Sequence, residues 1–161
     1  TLAYLRGDRA DEEFKSIDVV AILETIVDDA SDRGHAVTLT GADHVSIPGR
    51  RLALKRAFGN LIDNALKYGH EARIAVEDQS ETVVVSIRDQ GPGIAPEDVG
   101  RALAPFVRLE PSRNQETGGF GLGLTIAQAI VEGHGGQLTL ANHATGGLVV
   151  SVSLPKKRIA A

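Results

Sequence analysis

The chain has 161 residues, a formal net charge of −4, 42% hydrophobic and 24% charged residues, and no cysteine. These values fit one globular domain large enough to bury its own core. They exclude disulfides, thiolate metal sites and a bulk basic field that would recruit nucleic acid. No apolar run approaches the ~20 residues of a membrane span, and no signal peptide is visible.

Thr1–Arg6 (TLAYLR) reads as the last turn of a helix stopped by Gly7, and Asp8–Glu13 as a polar linker. A strand is predicted over Phe14–Ile17. Asp18 is placed to cap a helix over Val19–Arg33, where Val19, Ile22, Leu23, Ile26 and Val27 recur at helical spacing, with Gly34 closing it. Short strands follow over Val37–Thr40 and Val45–Ile47, parted by a turn at Gly41–His44, and Pro48-Gly49 marks a stop. A long helix spans Arg51–Tyr68, closed by Gly69. Ala72–Glu77 and Thr82–Arg88 read as strands, the second alternating Val83, Val85 and Ile87 against Val84, Ser86 and Arg88. Asp89–Gly119 is rich in Gly, Pro and charge, and a stretch that long in a compact domain reads as a functional lid or a disordered segment. A helix over Leu122–Glu132 and strands over Gln137–Ala141 and Leu148–Leu154, joined by the turn Ala144–Gly147, complete the pattern. Lys156-Lys157-Arg158 reads as a solvated end. The order predicts an α/β fold, a two-layer sandwich with helices on one face of a mixed sheet.

Three segments carry chemistry. On the long helix, Leu54, Phe58, Leu61, Ile62, Ala65 and Leu66 share one face, and Arg56, Asn60, Asp63, Asn64 and Lys67 the opposite stripe. Such a stripe alone reads as a solvated face. Yet Asn is a poor helix former, and Gly59 costs about 1 kcal/mol relative to Ala, which suggests that something packs close to it. Asn60 and Asn64 lie one turn apart and point the same way. An amide carbonyl is the kind of oxygen ligand Mg²⁺ takes, and Lys67 can neutralise phosphate. In Asp89-Gln90-Gly91-Pro92-Gly93-Ile94, the carboxylate either caps a turn or accepts a hydrogen bond from an exocyclic amine, with glycines letting a flat ring approach backbone. In Gly118-Gly119-Phe120-Gly121-Leu122-Gly123-Leu124-Thr125, glycines at a helix start expose N–H groups to phosphate, or form a hinge. No GxxxxGK[ST] occurs, and GxGxxG fails at Leu124, which excludes a P-loop and a Rossmann fingerprint.

These motifs in this order resemble the catalytic, ATP-binding domain of bacterial sensor histidine kinases, in the wider superfamily of gyrase, heat-shock chaperone, histidine kinase and mismatch-repair ATPases. RAFGNLIDNALKYG and GPGIAPEDVGRALAPFVRLEPSR are worded most like osmosensor-type kinases of Gram-negative bacteria. The resemblance runs from about Phe14 to Pro155. It implies a Bergerat fold with about three helices and a long ATP lid, binding ATP or ADP with Mg²⁺. By it, Asn64 holds the metal and Asn60 supports it. Lys67 touches phosphate and Tyr68 flanks the nucleotide. Asp89 reads adenine, and Gly91, Gly93 and Ile94 line the ring. Phe106 and Arg108 match the family's phenylalanine box, and Arg108 or Arg113 contacts phosphate. Gly119, Phe120, Gly121, Leu122, Gly123, Leu124 and Thr125 match its second glycine box.

Gyrase-like and chaperone-like members carry a Glu general base where this chain has Asn60, which cannot take a proton. The resemblance therefore implies γ-phosphoryl transfer rather than hydrolysis. The acceptor in the family is a His on a separate dimerisation hairpin. His35, His44, His70, His134 and His143 lack that setting, and His134 reads as a helix cap. The implied division is 1–13, a remnant of the dimerisation helix and linker; 14–155, the catalytic domain; and 156–161, a tail. Implied partners are the protein's own dimerisation domain and a response regulator, with no nucleic acid. The isolated domain is expected to be monomeric. The full-length kinase is expected to be a homodimer anchored in the inner membrane, with this domain on the cytoplasmic side. A serine kinase of the anti-sigma type and an ATP-sensing module without transfer activity remain as alternatives.

Overall fold

A computed structural model describes residues 12–91, 121–144 and 146–157. The expected helical turn at Thr1–Arg6, most of the linker, the segment 92–120 and the end of the tail lie outside the described residues. In chain order the elements are β1 (Lys15–Asp18), α1 (Val19–Asp32), β2 (Ala36–Gly41), β3 (Ser46–Gly49), α2 (Arg51–Gly69), β4 (Glu71–Asp78), β5 (Thr82–Arg88), α3 (Gly121–Gly133), β6 (Gln137–Asn142) and β7 (Leu148–Pro155).

Five strands form one sheet in the order β2-β4-β5-β7-β6. β2 and β4 pair in parallel, because β3 and α2 cross over between them, and the remaining pairs are antiparallel. Period-2 alternation puts Ala72, Ile74 and Val76, Val83, Val85 and Ile87, and Val150, Val152 and Leu154 on one buried face. α2 covers that face with Leu54, Phe58, Leu61 and Ile62, and α3 with Leu124, Ile126, Ala127 and Val131. Each large side chain so buried contributes about 1.5–3 kcal/mol relative to exposure. This is the predicted mixed sheet with helices on one side.

Asp18 caps α1 as predicted, accepting the Val20 N–H at 3.0 Å, and also the Val45 N–H at 3.2 Å. Its other oxygen meets His44 Nδ1 at 2.8 Å. Burial pushes the Asp18 carboxyl up, but these hydrogen bonds, His44 first, outweigh it and hold it below its ordinary value. The same bond raises the His44 imidazole.

Four local expectations change. Pro48-Gly49 does not stop a strand but lies within β3, paired with Ser16 and Lys15 in a two-stranded ribbon with β1. A ribbon leaves outer edges where a residue lacking an N–H costs nothing. α2 does not close at Gly69. That glycine is helical, and His70 takes the left-handed conformation at φ 63°. Leu66, expected on the apolar face, is only half-buried. A Cβ added at Gly59 would meet nothing within 4 Å, so the expected close packing is not found among the described residues.

The N-terminus of α2 is fastened from far away in sequence. Arg50 supplies no side-chain cap. Instead Glu12 accepts the Leu52 N–H at 2.6 Å and the Ala53 N–H at 3.0 Å, and Arg50 Nε donates to the Glu12 carbonyl at 2.7 Å. The Arg50 guanidinium lies 4.4 Å from the Phe14 ring centroid, and that ring is 5.1 Å from His134. His134 does cap α3, bonding the Ile130 carbonyl through Nδ1 at 2.8 Å, while Nε2 takes the Arg50 N–H at 3.0 Å. A carbonyl only accepts and a backbone N–H only donates, so the ring is neutral with its proton on Nδ1. Burial lowers its pKa, in keeping with that state.

Candidate functional site

Asp89 follows the last residue of β5 and is 5% exposed. Its N–H donates to the Leu148 carbonyl at 3.0 Å, extending the β5–β7 ladder one step past Arg88 and Val149. Its Oδ1 accepts two backbone N–H groups, from Gly91 at 2.9 Å and Leu148 at 3.0 Å. Its Oδ2 makes no hydrogen bond to a described residue. The carboxylate is thus fixed on one side and available on the other.

Glycines make this placement sterically feasible. A Cβ on Gly69 would overlap Asp89 Cβ and Cγ, and one on Gly147 would overlap the Asp89 carbonyl. A Cβ on Gly91 would come 2.5 Å from the Tyr68 carbonyl oxygen. Gly69 was legible only as a helix stop, and the paired glycines at 146 and 147 only as a turn. Their contact with Asp89 is tertiary and left no local signal.

Asn64 projects from α2 beside the first turn of α3. A Cβ on Gly123 would lie 3.8 and 3.9 Å from its two amide heteroatoms. Its Nδ2 is buried with no hydrogen-bond partner among the described residues. An unsatisfied buried donor costs about 1–3 kcal/mol, so it is a group awaiting a partner. Asn64 and Asp89 line one crevice with Leu61, Ala65, Ile87, Leu124, Leu148 and Val150. The crevice is a narrow apolar cleft of about 10 Å³ with one carboxylate and one amide, and it brings together Asn64, Asp89 and Leu124 of the sequence-predicted set.

The other predicted residues fall as follows. Asn60 is half-buried one turn before Asn64, and Lys67 is exposed. Tyr68 is packed in the hydrophobic core at 9% exposure. Gly121 and Leu122 open α3, and Gly123 and Thr125 are half-buried in its first turns. No acidic residue stands in that first turn to oppose an anion at the helix dipole. Gly93, Ile94, Phe106, Arg108, Arg113, Gly119 and Phe120 lie outside the described residues. Among the described residues no three His, Asp or Glu side chains group to hold a metal ion.

A roomier groove of about 590 Å³ runs along Glu12, Glu13, Lys15, Ile17, Arg51 and Leu52. It opens at the start of α2, about 18 Å along the helix from Asn64 at 1.5 Å per residue. Volume favours that groove, but the fixed carboxylate and the orphaned amide favour the crevice, and polar groups set by the fold are what a ligand site requires.

Comparison with known proteins shows the family of the chain. Residues 49–158 match the family model described as histidine kinase-, DNA gyrase B- and HSP90-like ATPase. The chain is 43% identical over 145 residues to the sensor histidine kinase GtrS of Pseudomonas aeruginosa, covering 90% of this chain and 30% of that protein. It is 34% identical over 131 residues to the histidine-protein kinase BaeS of Escherichia coli, covering 80% and 28%. The chain therefore spans under a third of the length of these relatives. Among solved structures, the catalytic domain of histidine kinase ThkA superposes with a TM-score of 0.77 at 24% identity, covering 91% of this chain and 97% of that one, and shares the fold. The mycobacterial sensor histidine kinase MprB gives 0.74 at 26% identity, covering 91% and 99%. The chain belongs to the histidine kinase-, DNA gyrase B- and HSP90-like ATPase family, as the ATP-binding domain of a bacterial sensor histidine kinase.

Proposed function

We propose that this domain binds Mg-ATP between α2, the end of β5 and the start of α3, and that its γ-phosphoryl goes to a histidine on a separate dimerisation domain. The observation that carries the reading is the divided carboxylate of Asp89, with Oδ1 held by two backbone N–H groups and Oδ2 without a partner among the described residues, beside an apolar cleft. An ionised carboxylate only accepts, so it selects a ring bearing an exocyclic amine, such as adenine. A relative of the same fold, the full-length kinase ShkA, has been solved with the ATP analogue AMPPNP.

The phosphate side follows from α2 and α3. The amide oxygen of Asn64 is of the kind that would hold Mg²⁺, and its buried Nδ2, a donor with no partner among the described residues, would need an acceptor such as a phosphate oxygen. Bound Mg²⁺ would supply charge neutralisation on the phosphoryl oxygens. The exposed ammonium of Lys67 lies on the same stripe of α2. The first N–H groups of α3 offer donors to phosphate. Asn60 stands one turn before Asn64, and an amide does not act as a general base at neutral pH, so water is not activated there. An imidazole brings its own lone pair. The N–P bond forms as the bond to the β–γ bridging oxygen breaks, and ADP leaves. Positioning and electrostatics suffice for such a step.

The dimerisation domain, a response regulator as the next acceptor, and anchoring in the inner membrane with this domain on the cytoplasmic side are proposals drawn from the sensor kinases it resembles. Among the described residues no helix is long and apolar enough to cross a membrane. The test is to mix this domain with its own dimerisation hairpin and labelled Mg-ATP. Acid-labile, base-stable label on a hairpin histidine is expected. Mg-ATP binding without any phosphohistidine would sink the proposal, and label on a serine would move the chain to another class of kinase.

A further inference from the structure

We infer that the β6–β7 turn, through Gly147 and Leu148, is a positioning element that sets the base selectivity of the nucleotide site. The inference rests on the reading of Asp89 as the base-recognising group and goes beyond it. A carboxylate discriminates an amine from a carbonyl only while it is held in place. Free to rotate or to draw in water, it accommodates either.

Two backbone donors do the holding, and one of them, the Leu148 N–H at 3.0 Å from Oδ1, comes from the residue just after the turn. Asp89 and Leu148 also share the bond from the Asp89 N–H to the Leu148 carbonyl. The turn is closed internally by the Gly146 N–H on the His143 carbonyl at 3.0 Å and the His143 N–H on the Gly147 carbonyl at 2.8 Å. Arg88, the residue before Asp89, donates to the Gly146 carbonyl at 3.3 Å. Gly147 has φ +90° and sits against the Asp89 carbonyl, with no room for a Cβ. A side chain there must push the turn away from Asp89 and withdraw the Leu148 N–H.

The experiment measures ADP and IDP affinities, with Mg²⁺, by calorimetry on the wild-type domain and on Gly147→Ala. IDP differs from ADP in carrying a 6-oxo group in place of the 6-amino group. The wild type is expected to prefer ADP, and the variant to lose about tenfold or more of that preference while keeping IDP affinity within about threefold. If Gly147→Ala does not fold, amide-to-ester replacement at the Gly147–Leu148 bond removes the same donor without a side chain, with the same expected loss. A folded variant with the wild-type ADP-to-IDP ratio overturns the role of the turn. A wild type that does not distinguish ADP from IDP overturns the reading of Asp89 itself.

Discussion

Replacing Asp89 by asparagine keeps one acceptor oxygen for the Gly91 and Leu148 N–H groups but turns the second acceptor into a donor. That donor would face the exocyclic amine of adenine. A charged hydrogen bond is lost and two donors are left opposed, at about 2–4 kcal/mol. Asp89→Asn should therefore weaken ADP binding by about 30-fold to 1,000-fold, with little change in fold, since the backbone bonds survive. Calorimetry checks the affinity and thermal unfolding checks the fold; near-wild-type affinity would remove Asp89 from base recognition. Asp89 and Asn64 were legible in the sequence because residue type and motif spacing carried them. Gly69 and Gly147 were not, because what they do is leave space for a residue 20 or more positions away, and an absent Cβ has no periodicity. The segment Pro92–Phe120, where Phe106 and Arg108 lie, is read from sequence alone.

At the scale of elements, α2 is built from opposing choices. Gly59 lies mid-helix where a Cβ would meet nothing within 4 Å, so Gly59→Ala should stabilise the domain by about 1 kcal/mol in urea unfolding. A loss of stability would mean that a further segment packs on that face. At its N-terminus α2 depends on Glu12, whose two oxygens take the Leu52 and Ala53 N–H groups. Glu12→Ala should cost about 1 kcal/mol, as loss of a helix cap does. Glu12→Gln should cost less, because its amide oxygen still accepts; equal loss in both variants would place the effect in charge rather than capping. The contrast with α1 shows what sequence carries at this scale. Asp18 caps the helix that follows it directly, and was read from its position. Glu12 caps a helix that begins about forty residues later, a pairing that only the β1–β3 ribbon creates. Pro48 misled for the same reason, since its tolerance depends on an edge that exists only in three dimensions.

At the scale of the molecule, His134 joins parts that are distant in sequence, receiving the Arg50 N–H from the start of α2 while bonding the last turn of α3. Both helices reach the crevice, α2 with Asn64 and α3 with Leu124. Burial, the largest influence, lowers the His134 pKa below 6.5, with Arg50 adding to it and the Ile130 bond and Glu12 opposing. The unfolded state then binds the proton more readily than the folded one. His134 thus favours folding fully above about pH 6.5 and progressively less as pH falls through its folded pKa. His44 has the opposite sign, raised by Asp18, so its contribution is present below pH 6.5 and fades as pH rises through its folded pKa. Being fully exposed, it is the lesser of the two. Unfolding free energy should therefore decline on acidification below pH 6.5, and His134→Gln should flatten that decline. An unchanged slope in the variant would assign the acid sensitivity elsewhere.

The strand order holds a consequence for how the chain comes to work at all. β7, the last of the described strands, lies inside the sheet between β5 and β6. Its first residue, Leu148, supplies the N–H that holds the Asp89 carboxylate. A ribosome releasing this chain has already exposed Asn64, Asp89 and the α3 glycines before β7 emerges. Until it does, β5 and β6 have no strand between them and the Asp89 carboxylate keeps only the Gly91 N–H of its two backbone donors. Full recognition of the base thus waits for β7, and a nascent chain halted before Leu148 should discriminate adenine poorly however many of its motifs are complete.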